Sequence, residues 1–172
     1  GASWVDNMIK TIKREKYFLL TIFFLSFLVR SLVFYFYLSK DKNYWQVDSN
    51  TYHKIAENIA QGKGVGVEGR SQFYRLPGYS IFLSLYYKIV GVDTKNVLWM
   101  QILLASFIPI LVFFLSLVLF PSSFLLAKIS SLYSCFHLGL VLYSGFFMTE
   151  SLFIFFLLLF FQYLFFLTFE FL

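Results

Sequence analysis

Charge is scarce in this chain. Nine Asp and Glu and fourteen Lys and Arg, 13% of 172 residues together, is about half the share of an ordinary soluble domain, where roughly a quarter of residues are charged. There is one cysteine, Cys135, so no intramolecular disulfide can form, and no Cys/His pairing has zinc-site spacing. Prolines number three and glycines nine, too few for a collagen-like or low-complexity chain. What fills the space is apolar: 59% hydrophobic and 23% aromatic residues, with 25 phenylalanines and a mean hydropathy of +0.74. A water-soluble domain of this length cannot hide that much apolar surface, and a disordered segment would not contain it. The composition is that of a membrane protein.

A spanning helix needs about 20 mostly apolar residues to cross roughly 30 Å of hydrocarbon. Residues 17–39 meet this with one charge, Arg30. Residues 98–120 carry none, and Pro109 is expected to kink them; residues 124–148 carry only Lys128. Residues 151–169 are uncharged and precede Glu170. The expected fold is therefore an all-α integral membrane domain over residues 1–172, with about four transmembrane helices and no internal repeat. The first span is too long and too far from the N-terminus for a signal peptide and lacks a small-residue cleavage site.

The net charge of +5 is not a nucleic-acid patch. Lys10, Lys13, Arg14 and Lys16 precede the first span and predict a cytoplasmic N-terminus in contact with anionic membrane lipids. Residues 40–96 then form a long extracytoplasmic loop. Asp48, Arg75 and Glu150 fall on that same side.

Within the loop, Tyr52, Ile55, Ala56, Ile59 and Ala60 recur at helical spacing, one apolar stripe. Asp48 or Ser49 can cap this helix and Gly62 can end it. After Arg75-Leu76-Pro77-Gly78, residues 79–92 form a second apolar stretch, too short to span and suited to an interfacial or re-entrant helix. The loop Gly64-Val65-Gly66-Val67-Glu68-Gly69 spells G-x-G-x-x-G, but it neither follows a strand nor opens a helix, so nucleotide binding is rejected.

Each notable residue has a plain and a functional reading. Asp48 is either a helix cap or a reactive carboxylate. Arg30, about 13 Å from the outer end of its span at 1.5 Å per residue, either snorkels outward or faces the bundle as a functional cation. Arg75 is a head-group anchor or a guanidinium aimed at a phosphate. Glu150 suits the start of a helix, with Thr149 as its cap, or lines a site. His53 is a ligand or a polar interfacial residue, while Gln101 and His137 read as interhelical hydrogen-bonding groups. Runs such as Phe153, Phe155 and Phe156 read as lipid-facing or packing residues.

The order of these pieces carries a resemblance. An arginine-bearing span precedes Val47-Asp48-Ser49-Asn50-Thr51-Tyr52-His53-Lys54-Ile55-Ala56-Glu57-Asn58-Ile59-Ala60-Gln61-Gly62. Arg75-Leu76-Pro77-Gly78-Tyr79, a Gln-bearing span and Met148-Thr149-Glu150-Ser151-Leu152-Phe153 follow. The series resembles the N-terminal part of the GT-C membrane glycosyltransferases, in particular bacterial relatives of protein O-mannosyltransferases and lipid A aminoarabinose transferases. Ser80 stands where those families usually have proline.

The resemblance implies sugar transfer from a polyprenyl-phosphate-linked donor at the extracytoplasmic face. It makes Asp48 the catalytic carboxylate and puts Arg75 and Glu150 near the donor phosphate or a divalent metal ion. Tyr52 and Arg30 join the substrate-binding set, and Asp48, Glu150 and His53 are the metal-ligand candidates. Family members run to several hundred residues, so the chain matches their front portion, and a further membrane subunit is a candidate partner. A non-catalytic truncated relative or membrane subunit, and a small transporter or lipid-handling protein with Arg30 and Glu150 along its pathway, are the alternative readings.

Overall fold

The computed structural model describes residues 4–66 and 77–170, and among these every regular element is helical. Helix α1 (Trp4–Val33) runs into a π-helical turn (Phe34–Leu38), and a 3-10 turn (Lys40–Lys42) follows. Then come α2 (Ser49–Ala60), α3 (Gly78–Val90), α4 (Thr94–Ala105), α5 (Ile108–Leu119), α6 (Phe124–Phe136), α7 (Leu138–Gly145) and α8 (Glu150–Glu170).

Two stretches are long and apolar enough to cross a membrane: Asp6–Leu38, with 33 residues, and Thr94–Leu119, with 26. The pair α6 and α7, bent by 49°, makes a third if it is one span. The protein is therefore an all-helical chain with two to three candidate membrane-spanning segments. The expected Pro109 kink is a break: α4 ends at Ala105 and α5 restarts at Ile108, with Pro109 in its first turn, where the missing N–H costs nothing. The bend after α6 falls at His137, whose Nδ1 accepts from the Leu140 N–H at 3.3 Å. His137 thus caps α7, where the sequence predicts an interhelical hydrogen bond. Gln101 does bridge.

The expected first span, residues 17–39, is the apolar part of a longer helix. Its polar N-terminal turns are fastened to α6 by Glu15, which receives the Lys128 ammonium at 2.8 Å, while the Arg14 guanidinium lies 3.8 Å from the centre of the Phe124 ring. Arg30 does not snorkel. It is 1% exposed, with one terminal nitrogen donating to Ser26 Oγ at 2.6 Å and to the Ser26 carbonyl at 3.4 Å; Nε and the other terminal nitrogen have no partner.

Helices α2 and α3 pack on each other, as their apolar faces require, burying Tyr52, Ile55 and Ala56 against Tyr79, Leu83 and Tyr87. The stripe read from the sequence is the packed face of α2. Gly62 ends that helix in a left-handed conformation (φ 74°), where the Lys63 N–H reaches the Asn58 carbonyl at 2.8 Å. Helix α3 begins just after Pro77, as expected. Helix α4 starts at Thr94 through a cap not foreseen: Asp93 accepts from the Lys95 and Asn96 N–H groups at 2.9 and 3.0 Å.

The larger apolar cluster joins α2 and α3 to the end of α1, to α4 and to the segment before α8, around Phe34, Leu38, Tyr44, Tyr79, Leu98 and Phe147. A smaller one, around Leu19, Phe113 and Ala127, holds the other end of the bundle. Gly145 permits the closest approach of α7 to the π-helical turn, for a Cβ there would lie 2.5 Å from Leu38 Cδ1.

Candidate functional site

Asp48 occupies the position that begins α2, but its backbone is already helical and its side chain makes no capping bond. The capping role expected of it is not the one it has. Ser49 does the local work: its hydroxyl accepts from the Gln46 N–H at 2.8 Å and donates to the Phe147 carbonyl at 2.8 Å. That second bond joins positions 98 residues apart and fastens the Asp48 turn to the segment leading into Glu150. A buried hydroxyl with a donor on one side and an acceptor on the other fixes both backbones.

Beneath this junction lies a network the sequence reading caught only in part. The Tyr79 hydroxyl donates to Gln101 Oε1 at 2.9 Å. Gln101 Nε2 in turn faces the carbonyls of Phe146 (2.8 Å), Ser144 (3.0 Å) and Tyr143 (3.4 Å), which the end of α7 leaves without helical partners. One amide thereby ties α3, α4 and the α7–α8 connection together. Tyr52 meets Tyr79 edge-on at 5.1 Å between ring centres, and Phe147 meets Tyr79 at 5.8 Å. Burial raises the Tyr79 pKa well above the usual phenol value, with Tyr87, Tyr52 and Glu150 adding to it, so Tyr79 is a neutral hydrogen-bond donor. Glu150 Oε2 is buried and accepts no hydrogen bond. Such an atom is an acceptor open to a hydroxyl.

His53, one turn into α2, has both ring nitrogens engaged. Nδ1 lies 2.9 Å from the Tyr87 hydroxyl, and Nε2 lies 3.5 Å from Glu57 Oε1, one turn further along α2. Burial lowers the His53 pKa, with the Glu57 carboxylate pulling the other way, so the imidazole is neutral near pH 7. Tyr87 is raised, by burial first and then by the Glu57 and Asp93 carboxylates. Among the described residues no three His, Cys, Asp or Glu side chains converge as a metal-ligand set. Asp48, Glu150 and His53, the metal-ligand candidates, are not grouped as such a set.

Next to His53 opens a cleft of about 640 Å³ lined by Lys42, Tyr44, Trp45, His53 and Thr94. A second cavity, about 340 Å³ and mostly apolar, lies at the opposite end of α1 between Met8, Thr11, Phe114 and Phe124. Asp48, Glu150, Tyr52 and Arg30 line neither of these two. The structure thus draws the Asp48 and Glu150 segments together and puts Tyr52 in the packed layer below. Arg30 is enclosed in the bundle, one turn from the buried Phe34. Arg75 lies outside the described residues. Ser49, Gln101 and Tyr79 were absent from the expected site because their roles depend on chain segments far apart in sequence. No protein family, curated protein or solved structure matches the chain.

Proposed function

We propose that this chain supplies the catalytic carboxylate, Asp48, of a glycosyltransferase using a polyprenyl-phosphate-linked sugar at the extracytoplasmic membrane face. The observation that carries the reading is the Ser49–Phe147 hydrogen bond, which holds the turn bearing Asp48 against the segment that leads to Glu150. In this scheme four spans cross the membrane: α1, α4 with α5, α6 with α7, and α8, whose 21 residues reach about 31 Å at 1.5 Å per residue. The N-terminus is then cytoplasmic, and α2 and α3 rest at the outer interface, apolar faces packed, with polar ends toward water.

The chemistry asks for one base and a stabilised leaving group. The acceptor hydroxyl attacks the anomeric carbon and its proton passes to Asp48. The bond from that carbon to the phosphate oxygen breaks, and the phosphate departs on its lipid. Because phosphate is already a good leaving group, no second protonating carboxylate is required, unlike glycoside hydrolysis. The resemblance assigns Arg75 to the donor phosphate, and in this scheme Glu150, with its open acceptor oxygen, orients a sugar hydroxyl. Arg30, enclosed in the bundle with two guanidinium nitrogens unpartnered, is given no step in this scheme.

Asp48→Asn tests the assignment in membranes supplied with labelled donor lipid. A positioned base contributes about 10²–10⁴-fold to rate. The amide keeps the size of the side chain, and donor binding measured in the same membranes reports whether the variant is folded. Loss of transfer with donor binding retained is the expected result; transfer at the wild-type rate would sink the role. Donor binding without product from the wild-type chain would instead identify a non-catalytic relative.

A further inference from the structure

The cleft beside His53 is not used by the scheme above, and three features mark it as a built site. First, its lining residues come from three separate elements: Lys42 and Trp45 from the turn after α1, His53 from α2 and Thr94 from the start of α4. Second, four of the five are fixed by contacts, those of Trp45 and His53 to residues outside the cleft and that of Tyr44 with Thr94 within it. Trp45 stacks on Phe147 at 5.1 Å and 28°, the Tyr44 hydroxyl meets Thr94 Oγ1 at 3.4 Å, and His53 is fixed by Tyr87 and Glu57. Side chains locked in this way are preorganised for a ligand. Third, Asp41 and Lys42 both adopt left-handed backbone conformations (φ 50° and 56°), which non-glycine residues avoid and which cluster where function demands them.

We propose that this cleft binds a pyranose ring carrying a single carboxylate, a hexuronic-acid residue. An indole and a neutral imidazole give the ring's C–H faces apolar surface, while Thr94, backed by the buried Tyr44 hydroxyl, offers a hydroxyl to the sugar's own hydroxyl groups. Lys42 is exposed and forms no ion pair among the described residues, so its ammonium is available for one anionic oxygen. The charge count selects a monoanion. No guanidinium lines the cleft and Lys42 is the single cation in its lining, which matches one anionic oxygen rather than a dianion such as a phosphate monoester. Only the further step, that this sugar is the acceptor, rests on the transfer reading. Trp45 and Asp48 flank the same turn, closed by the Ser49 N–H on the Gln46 carbonyl at 3.1 Å. The cleft and the proposed base are thus carried by one short segment, although Asp48 does not itself line the cleft.

Isothermal titration of the full chain in detergent micelles tests the binding without turnover, using methyl glucuronide, methyl glucoside, acetate and glucose 6-phosphate. Saturable binding of the glucuronide is expected, with the glucoside weaker by roughly tenfold, the scale of one charge-assisted hydrogen bond, and acetate alone not saturating. Lys42→Gln should bring the glucuronide down to the glucoside's affinity, and Thr94→Val should weaken both sugars. Equal affinity for the two glycosides, an unaffected Lys42→Gln variant or no binding at all would overturn the site. Tighter binding of glucose 6-phosphate would overturn the monoanion assignment. The titration uses no donor lipid and no turnover, so its outcome is independent of the fate of the transfer reading.

Discussion

Ser49 and Phe147 share a buried hydrogen bond of 2.8 Å across 98 residues, and it sets the geometry at the start of α2. Removing the hydroxyl leaves the Phe147 carbonyl and the Gln46 N–H unpaired together. Ser49→Ala should cost about 1–3 kcal/mol for each buried group left unsatisfied. A lower unfolding temperature in detergent is the expected reading. A melting curve unchanged from wild type would show that the junction is held by packing alone.

Gln101 makes a second such prediction. Gln101→Leu keeps the volume but orphans the Tyr79 hydroxyl and the carbonyls at the end of α7. The loss should be about 1–3 kcal/mol or more. Tyr79→Phe in the same chain removes one of the orphans, so the double variant should be less destabilised than the sum of the singles. Strict additivity in thermal unfolding would mean that the two side chains are not coupled.

His53 gives the chain a pH dependence of known sign. Its pKa is lowered in the folded protein, from the ordinary 6.5, by burial above all. The unfolded chain therefore binds the proton more readily, and this contribution is complete above pH 6.5 and is lost as pH falls through the lowered value. The unfolding temperature should drop between pH 7.5 and pH 5.5, and His53→Gln should flatten that interval. A variant with the wild-type slope would place the titration elsewhere.

Sidedness is tested by labelling. Lys63 is exposed just past α2, and Cys135 is buried, so a cysteine at position 63 is the reactive one. An impermeant maleimide should reach Lys63→Cys from outside intact cells. Labelling only after the membrane is opened would invert the arrangement and with it the proposed face of the reaction.

Composition and periodicity were enough to determine that this is a helical membrane chain, because hydrocarbon admits only backbones that satisfy their own hydrogen bonds, and those leave long apolar runs. The α2 stripe was legible for a similar reason: Tyr52, Ile55 and Ala56 lie on one face at local spacing, and such a face must be buried. Local rules also located the breaks at Pro109 and Gly62. Helix starts were less legible: Asp48, a cap candidate, makes no capping bond, while Asp93, which the sequence reading did not single out, caps α4. Whether a carboxylate caps depends on a backbone conformation that neighbours impose. The choice for Arg30 between water and the bundle was likewise tertiary, made by what α1 packs against. So were the tie between Ser49 and Phe147, the bridging by Gln101 and the meeting of Lys42, Trp45, His53 and Thr94. Each joins segments whose approach is set by the packing of whole helices, and no pattern within a few residues encodes it.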